Sequence, residues 1–367
     1  MNSLELYSKK TNGTFYSPFN FCIDRMEHLI LINFEKDPDS YYNVFELQKA
    51  YDENNNSRLL LVAYQKDGSV DIYYQDSYPF GNQGNILNSV NLFIRTLKNA
   101  KFEISSDNLE VFFVLEDKYG RHIKVEVSET NISKKKPFFL LAPVGVASNK
   151  PISLPIYSLY KMSFLKRKFT HIDIEINNIK HKPDTFPLPI NYSKNYFTRY
   201  SADTFNIDWN KNKNGPLLPL EYHNNNIIYD NRTLYEIENN SDHLEIKRMS
   251  ISNIKHQINI NFTPPFPDIA CIRLELDKII NGKFLITTDN TKGLIKGDYS
   301  LHTKENEIFL NFSPTYGWIP NEDRWILKIL FFMVKIFKKW PSSYLWNANI
   351  KFDSNNNPIM HSSWTRK

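Results

Sequence analysis

The fold class is decided by LEVFFVLEDKYGRHIKVEV, which runs from Leu109 to Val127. Its first part, Leu109–Glu116, is an almost continuous apolar run, and its last part, Arg121–Val127, alternates isoleucine and valine with lysine and glutamate. Between them Asp117–Gly120 supplies the polar residues and the glycine that a tight turn uses. Such alternation indicates a strand with one buried face. We therefore predict a β-hairpin here and a mainly β protein around it.

The same pattern continues on both sides of this hairpin. Arg58–Tyr64 is predicted to pair with Ser69–Gln75 across an Asp-Gly turn, and Phe169–Ile179 resumes strict alternation. Many short strands at a spacing of roughly ten residues are typical of barrels and sandwiches. In the second half of the chain the predicted strands are Ile227–Asp230, Thr233–Glu238, His243–Met249, Ile254–Phe262, Ala270–Leu276, Lys283–Thr287, Leu294–His302 and Glu307–Phe312.

The length and the proline pattern predict two domains. The chain has 367 residues, which is more than one typical domain holds. The proline-rich passage Pro137–Tyr160 indicates an ordered crossing segment, since flexible linkers are usually polar or rich in glycine and serine, and a second proline-rich passage, Pro183–Pro189, follows it. Asn210–Pro219 is typical of an exposed connection. We predict two antiparallel barrel-like or sandwich-like halves: an N-terminal β domain at residues 1–212, with the proline-rich crossing segment, and a C-terminal β domain at residues 213–367.

One long apolar helix is predicted in the C-terminal domain, over Asn321–Lys339. Its first turn holds two acids and its last turn two lysines, which suits the helix dipole, and the following Trp340-Pro341 ends it. Because apolar residues cover most of its circumference, we expect it to pack against the β halves on nearly all sides. A membrane span is not favoured, because Lys328 and Lys335 interrupt the apolar run. An interfacial helix with lysines reaching the headgroups is the alternative.

Composition limits the partners and the location. The formal charge is only +5, and no nucleic-acid motif accompanies the basic clusters Lys134–Lys136 and Lys166–Lys168. We interpret both clusters as solvated strand ends and predict no nucleic-acid partner. Cys22 and Cys271 are too few for a disulfide framework, and residues 1–20 lack the apolar core of a secretory signal. We expect a cytoplasmic location.

Sequence motifs of the common enzyme classes are absent. The chain contains no Walker loop, no dinucleotide-binding glycine pattern after a strand, no Gly-Xaa-Ser-Xaa-Gly elbow and no His-Glu-Xaa-Xaa-His. Its nine histidines are scattered without the close spacing of metal ligands. The sequence therefore predicts no cofactor and no metal site, and it assigns no catalytic residue.

Two groups of candidate ligand-binding residues lie in the N-terminal domain. Glu46 stands among apolar residues, with Tyr64 and Tyr73 on the neighbouring hairpin. If this face lines a cavity, Glu46 would have a raised pKa and could act as a general acid or base; if it faces water, it is an ordinary outward residue. Arg199 and Tyr200 belong to an aromatic run that precedes a carboxylate. The arginine could grip an anionic or carbonyl group, or form a structural pair with that carboxylate.

A third group consists of aromatic residues near the C-terminus. Trp318, Trp346 and Trp364 could form a platform on which a ligand stacks. The alternative is that these rings form a packing cluster around the predicted helix.

The layout of the chain resembles the two-barrel calycins, the lipocalin-like group that includes carotenoid hydratase-type proteins. The resemblance rests on two successive β-rich halves, tyrosine-rich alternating strands, the Asp117–Arg121 hairpin and the Gly293–Tyr299 segment. It implies that a hydrophobic or terpenoid-like molecule binds in a barrel mouth or between barrels, with hydration or cyclisation driven by protonation. The long apolar helix departs from that plan, and no acid of the family can be matched residue by residue.

These observations lead to three functional hypotheses. The first is that the protein binds or modifies an apolar small molecule, lipid-like or isoprenoid-like, in a β-barrel cavity. The second is a non-enzymatic carbohydrate-binding or interaction module that uses the tryptophans as stacking surfaces. The third is a peripheral membrane protein that uses the segment Trp325–Lys339.

Overall fold

A computed structural model describes residues 12–366, apart from 81–91, 146–153, 188, 191–192, 224–225, 230–231, 241–242, 290–291, 335–336 and 338. The protein is mainly β, with curled sheets. The chain divides into two compact units, which we call the N-terminal unit (residues 23–151 and 155–207) and the C-terminal unit (residues 1–22, 152–154 and 208–367). The division after residue 212 stays a prediction; the units defined here change between residues 207 and 208, and residues 12–22 belong to the C-terminal unit.

The described part of the chain contains 28 strands, numbered here in chain order. They are β1 (Asn12–Tyr16), β2 (Phe21–Asp24), β3 (Met26–Asn33), β4 (Tyr42–Tyr51), β5 (Ser57–Gln65), β6 (Val70–Tyr74), β7 (Leu92–Thr96), β8 (Asn99–Ile104), β9 (Asn108–Glu116), β10 (His122–Thr130), β11 (Phe138–Leu141), β12 (Leu154–Lys166), β13 (Thr170–Ile176), β14 (Ile179–His181), β15 (Asn195–Ser201), β16 (Thr204–Trp209), β17 (Lys213–Pro216), β18 (Pro219–His223), β19 (Asn226–Tyr229), β20 (Thr233–Asn240), β21 (His243–Ser252), β22 (Gln257–Pro267), β23 (Ile279–Thr288), β24 (Gly293–Lys304), β25 (Glu307–Pro314), β26 (Ile319–Pro320), β27 (Tyr344–Phe352) and β28 (Pro358–Arg366).

The predicted hairpins of the N-terminal unit are confirmed. In β9 and β10, Val125 pairs with Phe113 and Val127 with Val111, which places the apolar residues of both strands on one buried face. In β5 and β6, Tyr64 pairs with Val70 across the turn. Local alternation and turn chemistry therefore suffice to predict strand pairs that are adjacent in sequence.

Two sheets of the N-terminal unit share one core. The five-stranded sheet has the order β14-β13-β10-β9-β8, and the larger sheet has the order β2-β16-β12-β15-β3-β4-β5-β6-β7, with β11 paired to β12. Phe113 and Val125 of the smaller sheet pack in one apolar cluster with Ile30, Phe45 and Leu61 of the larger sheet. A second, smaller cluster lies on the other face of the larger sheet and contains Ala50, Leu60, Val62, Val70, Ile72 and Tyr78.

The C-terminal unit is built on a thirteen-stranded sheet in which most neighbours are consecutive hairpins. Aromatic rings fill its core, with the Phe312 ring centroid 5.3 Å from that of Phe19 and 5.5 Å from that of Trp346. Gly297 permits this packing, because a Cβ there would lie 2.0 Å from the tip of the Phe284 ring. The high aromatic content of the sequence is thus used largely for core packing.

The predicted long helix is wrong in length and in burial. The structure has a short helix, α1, at Ile269–Ile272 and a second, α2, at Trp325–Met333. Val334 follows α2 with extended backbone angles, and its N–H makes the last hydrogen bond of this helix, to the Leu330 carbonyl oxygen; residues 335–336 and 338 lie outside the described residues. Only Leu327 and Phe331 of α2 are buried. The other apolar residues of α2 are exposed or half-buried, so the helix is not buried on all sides.

The segment Ala270–Leu276 is likewise a helix and turn where a strand was predicted. Asp268 caps α1 by accepting a hydrogen bond from the backbone N–H of Ala270. Leu274 and Leu276 are 75% and 71% exposed, so their alternation with charged residues does not mark a buried sheet face. In the described part of the chain, no helix has the length and apolar character that crossing a membrane requires.

Candidate functional site

Strand pairing brings two of the predicted site residues, Glu46 and Arg199, onto one face of the larger sheet. Residues paired across neighbouring strands point to the same face. One such row of pairs runs through Phe164, Arg199, Leu31, Glu46, Val62 and Ile72. Tyr64 lies two positions after Val62 on β5 and therefore points to the same face. We call this the Glu46 face.

Glu46 is a buried carboxylate held by polar side chains. It is 1% exposed, its Oε2 accepts a hydrogen bond from the Tyr64 hydroxyl, and its Oε1 accepts one from Gln48 Nε2 at 2.7 Å. The Tyr78 hydroxyl in turn donates to Gln48 Oε1 at 3.1 Å. Burial and the Glu46 charge raise the pKa of Tyr64 well above its ordinary value, so this hydroxyl stays protonated and can donate. A carboxylate bonded to a protonated tyrosine has the elements of a proton-transfer site.

The crossing segment covers one side of this carboxylate. Gly145 has φ +59°, and a Cβ built on it would lie 2.0 Å from Glu46 Oε2. The backbone therefore approaches Glu46 more closely than any residue with a side chain could. At Gly145 the proline-rich segment therefore packs directly on the sheet.

Arg199 supplies positive charge to the same face. Its Nη1 donates to Asn33 Oδ1 at 2.8 Å and to the Phe197 carbonyl oxygen at 3.3 Å, and its guanidinium lies 4.8 Å from the centroid of the Phe197 ring. Burial lowers the pKa of Arg199 to about 10, while the carboxylates of Glu46 and Glu35 act in the opposite direction. Arg199 therefore remains charged at neutral pH.

Tyr73 and Tyr200 do not belong to this site. The adjacent row of paired residues, Tyr200, Ile30, Leu47, Leu61 and Tyr73, points to the opposite face and joins the core shared by the two sheets. Tyr64 and Tyr73 thus point to opposite faces of the sheet, and so do Arg199 and Tyr200. The structure brings Glu46, Tyr64 and Arg199 together and separates the two other tyrosines from them.

Trp318 and Trp346 lie in the C-terminal unit and are buried. Trp346 is fully buried in the aromatic core, and Trp318 is 2% exposed and packs on Phe331 of α2 with ring centroids 4.8 Å apart. Trp364 is 9% exposed, and its indole N–H donates to the Asn210 carbonyl oxygen at 2.6 Å. A stacking platform needs accessible ring faces, so these three rings act in packing and not as a platform.

Two buried charge networks were missed in the sequence. In the first, Arg121 bonds both carboxylate oxygens of Asp39, at 3.0 and 2.8 Å, and pairs with Asp117 at 2.8 Å. The rings of Tyr41 and Tyr119 stack with centroids 4.0 Å apart, with the guanidinium 4.7 Å from the Tyr41 centroid. This network fixes the predicted Asp117–Gly120 turn onto the start of β4.

The second network lies under Tyr200. Glu129 is 1% exposed and pairs with Lys135, whose Nζ also donates to the Phe164 carbonyl oxygen at 2.9 Å and lies 4.8 Å from the Tyr200 ring centroid. Burial lowers the pKa of Lys135 to about 8, although Glu129 opposes this shift. Lys135 was interpreted as part of a solvated basic cluster; the structure places it inside. A basic run beside an apolar segment was the available signal, but the run alone does not show which lysine turns inward.

Comparisons with known proteins add no functional information. The chain matches no family model, and no curated protein matches it. Among solved structures it has a weak similarity to the vaccine antigen transferrin binding protein B from Haemophilus parasuis, at 7% identity and a TM-score of 0.12 over 96% of this chain and 76% of that chain. A TM-score this low carries no argument about fold or function.

Proposed function

We propose that the N-terminal unit binds a small, mainly apolar molecule at the Glu46 face and that one oxygen of this molecule bonds to Glu46 or Tyr64. The observation that carries the proposal is the burial of the Glu46 carboxylate on the same sheet face as Arg199. Charged groups removed from water destabilise a fold unless they are well compensated, and perturbed titratable groups are concentrated at functional sites.

The surroundings of Glu46 support an apolar ligand. Val62 and Ile72 continue the same row, and the apolar cluster on this face includes Leu60 with the partly buried Tyr74 and Phe80. Binding sites for small molecules usually combine such apolar walls with a few polar groups that fix orientation. An alcohol or a carbonyl compound with a hydrocarbon body, such as an isoprenoid, matches this combination.

A reaction at this site would be an acid-catalysed hydration or cyclisation. Hydration of an alkene adds a proton to one carbon and the oxygen of water to the other, and the water then loses a proton. In its protonated form Glu46 would deliver the proton to the alkene, and the carboxylate left behind, which Tyr64 bonds and Arg199 would stabilise, would then accept the proton that the added water loses. Binding without reaction remains the simpler form of the proposal.

The test is binding of all-trans-retinol, followed by its fluorescence, to the wild type and to matched tyrosine variants. Tyr64→Phe removes a hydroxyl on the Glu46 face, and Tyr73→Phe removes one on the opposite face of the neighbouring strand. We expect Tyr64→Phe and Glu46→Gln to weaken retinol binding about five- to tenfold, the effect of one lost hydrogen bond, and Tyr73→Phe to leave it unchanged. Absence of retinol binding by the wild type, together with absence of any lipid extracted from purified protein, would overturn the proposal.

A second candidate function is peripheral membrane contact through α2. Trp325, Ile329, Phe332 and Met333 are 69%, 41%, 72% and 67% exposed, and their spacing places them with Lys328 on one side of the helix. An apolar helix face with a basic residue is typical of interfacial binding to anionic lipid. Co-sedimentation with vesicles that contain phosphatidylserine, lost in Trp325→Ser/Phe332→Ser and decreasing with salt, is the expected result. Equal sedimentation of this variant would exclude α2 as the contact. The cytoplasmic location remains a prediction.

A further inference from the structure

The N-terminal unit contains an open cleft of about 510 Å³ whose charged lining residues are all basic. Four of its lining residues are Lys166, Arg167, Lys168 and Lys194. The others are Phe169, Ser193 and Tyr196. The cleft shares no residue with the Glu46 site described above, so what it binds is a separate question.

The cleft forms where the chain leaves one sheet for the other. The pairing of β12 with β15 shifts register between Phe164 and Lys166, and such irregularities redirect the side chains that follow. A single 3-10 turn, Arg167–Phe169, then leads into β13 of the five-stranded sheet. The backbone N–H of Arg167 donates to the Lys194 carbonyl oxygen at 3.0 Å, which holds the two basic segments side by side. Residues far apart in sequence thereby line one concave surface.

The positive charge of this cleft is not neutralised by the protein. The carboxylate beside it, Glu129, pairs with Lys135 and accepts the backbone N–H of Lys166 at 2.8 Å. Within the described part of the chain, none of the four basic side chains of the cleft forms an ion pair with a carboxylate. Like charges held together repel each other, and an anion in the cleft would relieve that repulsion.

We propose that this cleft binds a small, multiply charged anion that carries phosphate or sulfate groups. The guanidinium fork of Arg167 suits two oxygens of one such group, and the lysines supply further point charges around it. Arg167 lies 6.0 Å from the Tyr196 ring centroid, and Lys168 lies 5.5 Å from the Phe169 ring centroid, so aromatic rings support both cations. The volume falls in the range of small-molecule sites, about 300–1,000 Å³, which favours a compact ligand.

Two variants with the same change in charge test the proposal. Arg167→Gln/Lys168→Gln/Lys194→Gln removes three charges from the cleft. Lys36→Gln/Lys66→Gln/Lys182→Gln removes three exposed charges of the same unit that do not line the cleft. Both sets of positions are exposed, so we expect both variants to fold, which circular dichroism can verify; Arg167→Gln alone serves if the first variant does not.

The probes are inorganic pyrophosphate and a disulfated disaccharide, titrated calorimetrically at low ionic strength. We expect the wild type to bind at least one probe, the cleft variant to lose at least about tenfold in affinity, and the control to stay within about twofold. Tighter binding of one probe identifies the phosphate or the sulfate source of the ligand. The proposal is overturned if the wild type binds neither probe, or if the control loses as much affinity as the cleft variant. Retinol binding is unaffected in either case, so the two proposals fail independently.

Discussion

Replacement of Gly145 by alanine should destabilise the N-terminal unit through direct conflict with Glu46. The new Cβ would lie 2.0 Å from Oε2, 2.5 Å from Cδ and 2.9 Å from Oε1 of Glu46. These atoms belong to a buried side chain that Tyr64 and Gln48 hold in place, so it has little freedom to move away. Gly145 also has φ +59°, in the left-handed region that alanine disfavours.

The size of the effect follows from these two contributions. Left-handed backbone costs a non-glycine residue about 1–2 kcal/mol, and overfilling a packed site costs about 1–3 kcal/mol. We therefore expect Gly145→Ala to lower the free energy of unfolding by about 2–5 kcal/mol. Gly120→Ala is the matched control, because Gly120 has φ +74° and nothing within 4 Å of its Cβ position. Gly120→Ala should lower the free energy of unfolding by the backbone contribution alone, about 1–2 kcal/mol.

Urea denaturation of the four variants in a double-mutant cycle measures the contact itself. Glu46→Ala removes the carboxylate that the new methyl group would meet. In that background, Gly145→Ala should therefore lower the free energy of unfolding by about as much as Gly120→Ala does in the wild type. A direct conflict with Glu46 is refuted if Gly145→Ala lowers the free energy of unfolding no more than Gly120→Ala does, or if Glu46→Ala does not reduce the effect of Gly145→Ala.

Three further predictions concern the charge networks and the tryptophans. Hydrogen bonds from the Tyr41 N–H and the Arg121 guanidinium outweigh burial and hold the pKa of Asp39 below 3.8, so Asp39 stabilises the fold above that pH and less as the pH falls. Asp39→Asn should lower the free energy of unfolding by about 1.5–3 kcal/mol at pH 7. If the free energies of unfolding of wild type and variant differ by the same amount at pH 2, the prediction is contradicted. Lys135→Met should lower the free energy of unfolding by about 3–5 kcal/mol, because Glu129 stays buried without its partner. In thermal unfolding, Lys135→Met/Glu129→Leu should recover most of that stability. Equal stability of the single and double variants would show that the pair is not coupled. Trp325→Phe should remove most of the tryptophan fluorescence that acrylamide quenches, because the Trp325 ring is exposed. Trp346→Phe should remove almost none of the quenchable fluorescence, because the Trp346 ring is fully buried. Strong quenching of Trp346 would place it outside the core.

The fold class could be predicted because hairpins carry their own information. In Leu109–Val127 the alternation and the turn together specify a strand pair that depends on no distant residue. The helix at Asn321–Lys339 was overpredicted because apolar residues around a helix can mean exposure to a partner as well as burial. α2 ends at Met333, where Val334 takes extended geometry, and the apolar pattern continues past that point without marking the end.

The candidate site was less accessible to sequence reasoning. Both faces of β4 are covered, so Glu46 lies in a run of five consecutive buried residues, Val44–Gln48, and alternation does not indicate which face it takes. The separation of Tyr64 from Tyr73 was readable in principle, because the Asp67–Gly68 turn sets a register in which Tyr64 faces Val70. The proximity of Arg199 to Glu46 depends on pairing of β15 with β3, which is distant in sequence and leaves no local pattern.

The two opposed rows of the larger sheet also set rules for how this chain can change length. An insertion of one residue in β4 before Glu46 would turn each following side chain to the opposite face of the sheet. The carboxylate would then lie in the shared apolar core and Leu47 on the Glu46 face. Insertions at the exposed turn Lys66–Gly68 would leave every pair intact. Homologous chains should therefore vary in length at such turns, while within β4 they should differ only by substitution.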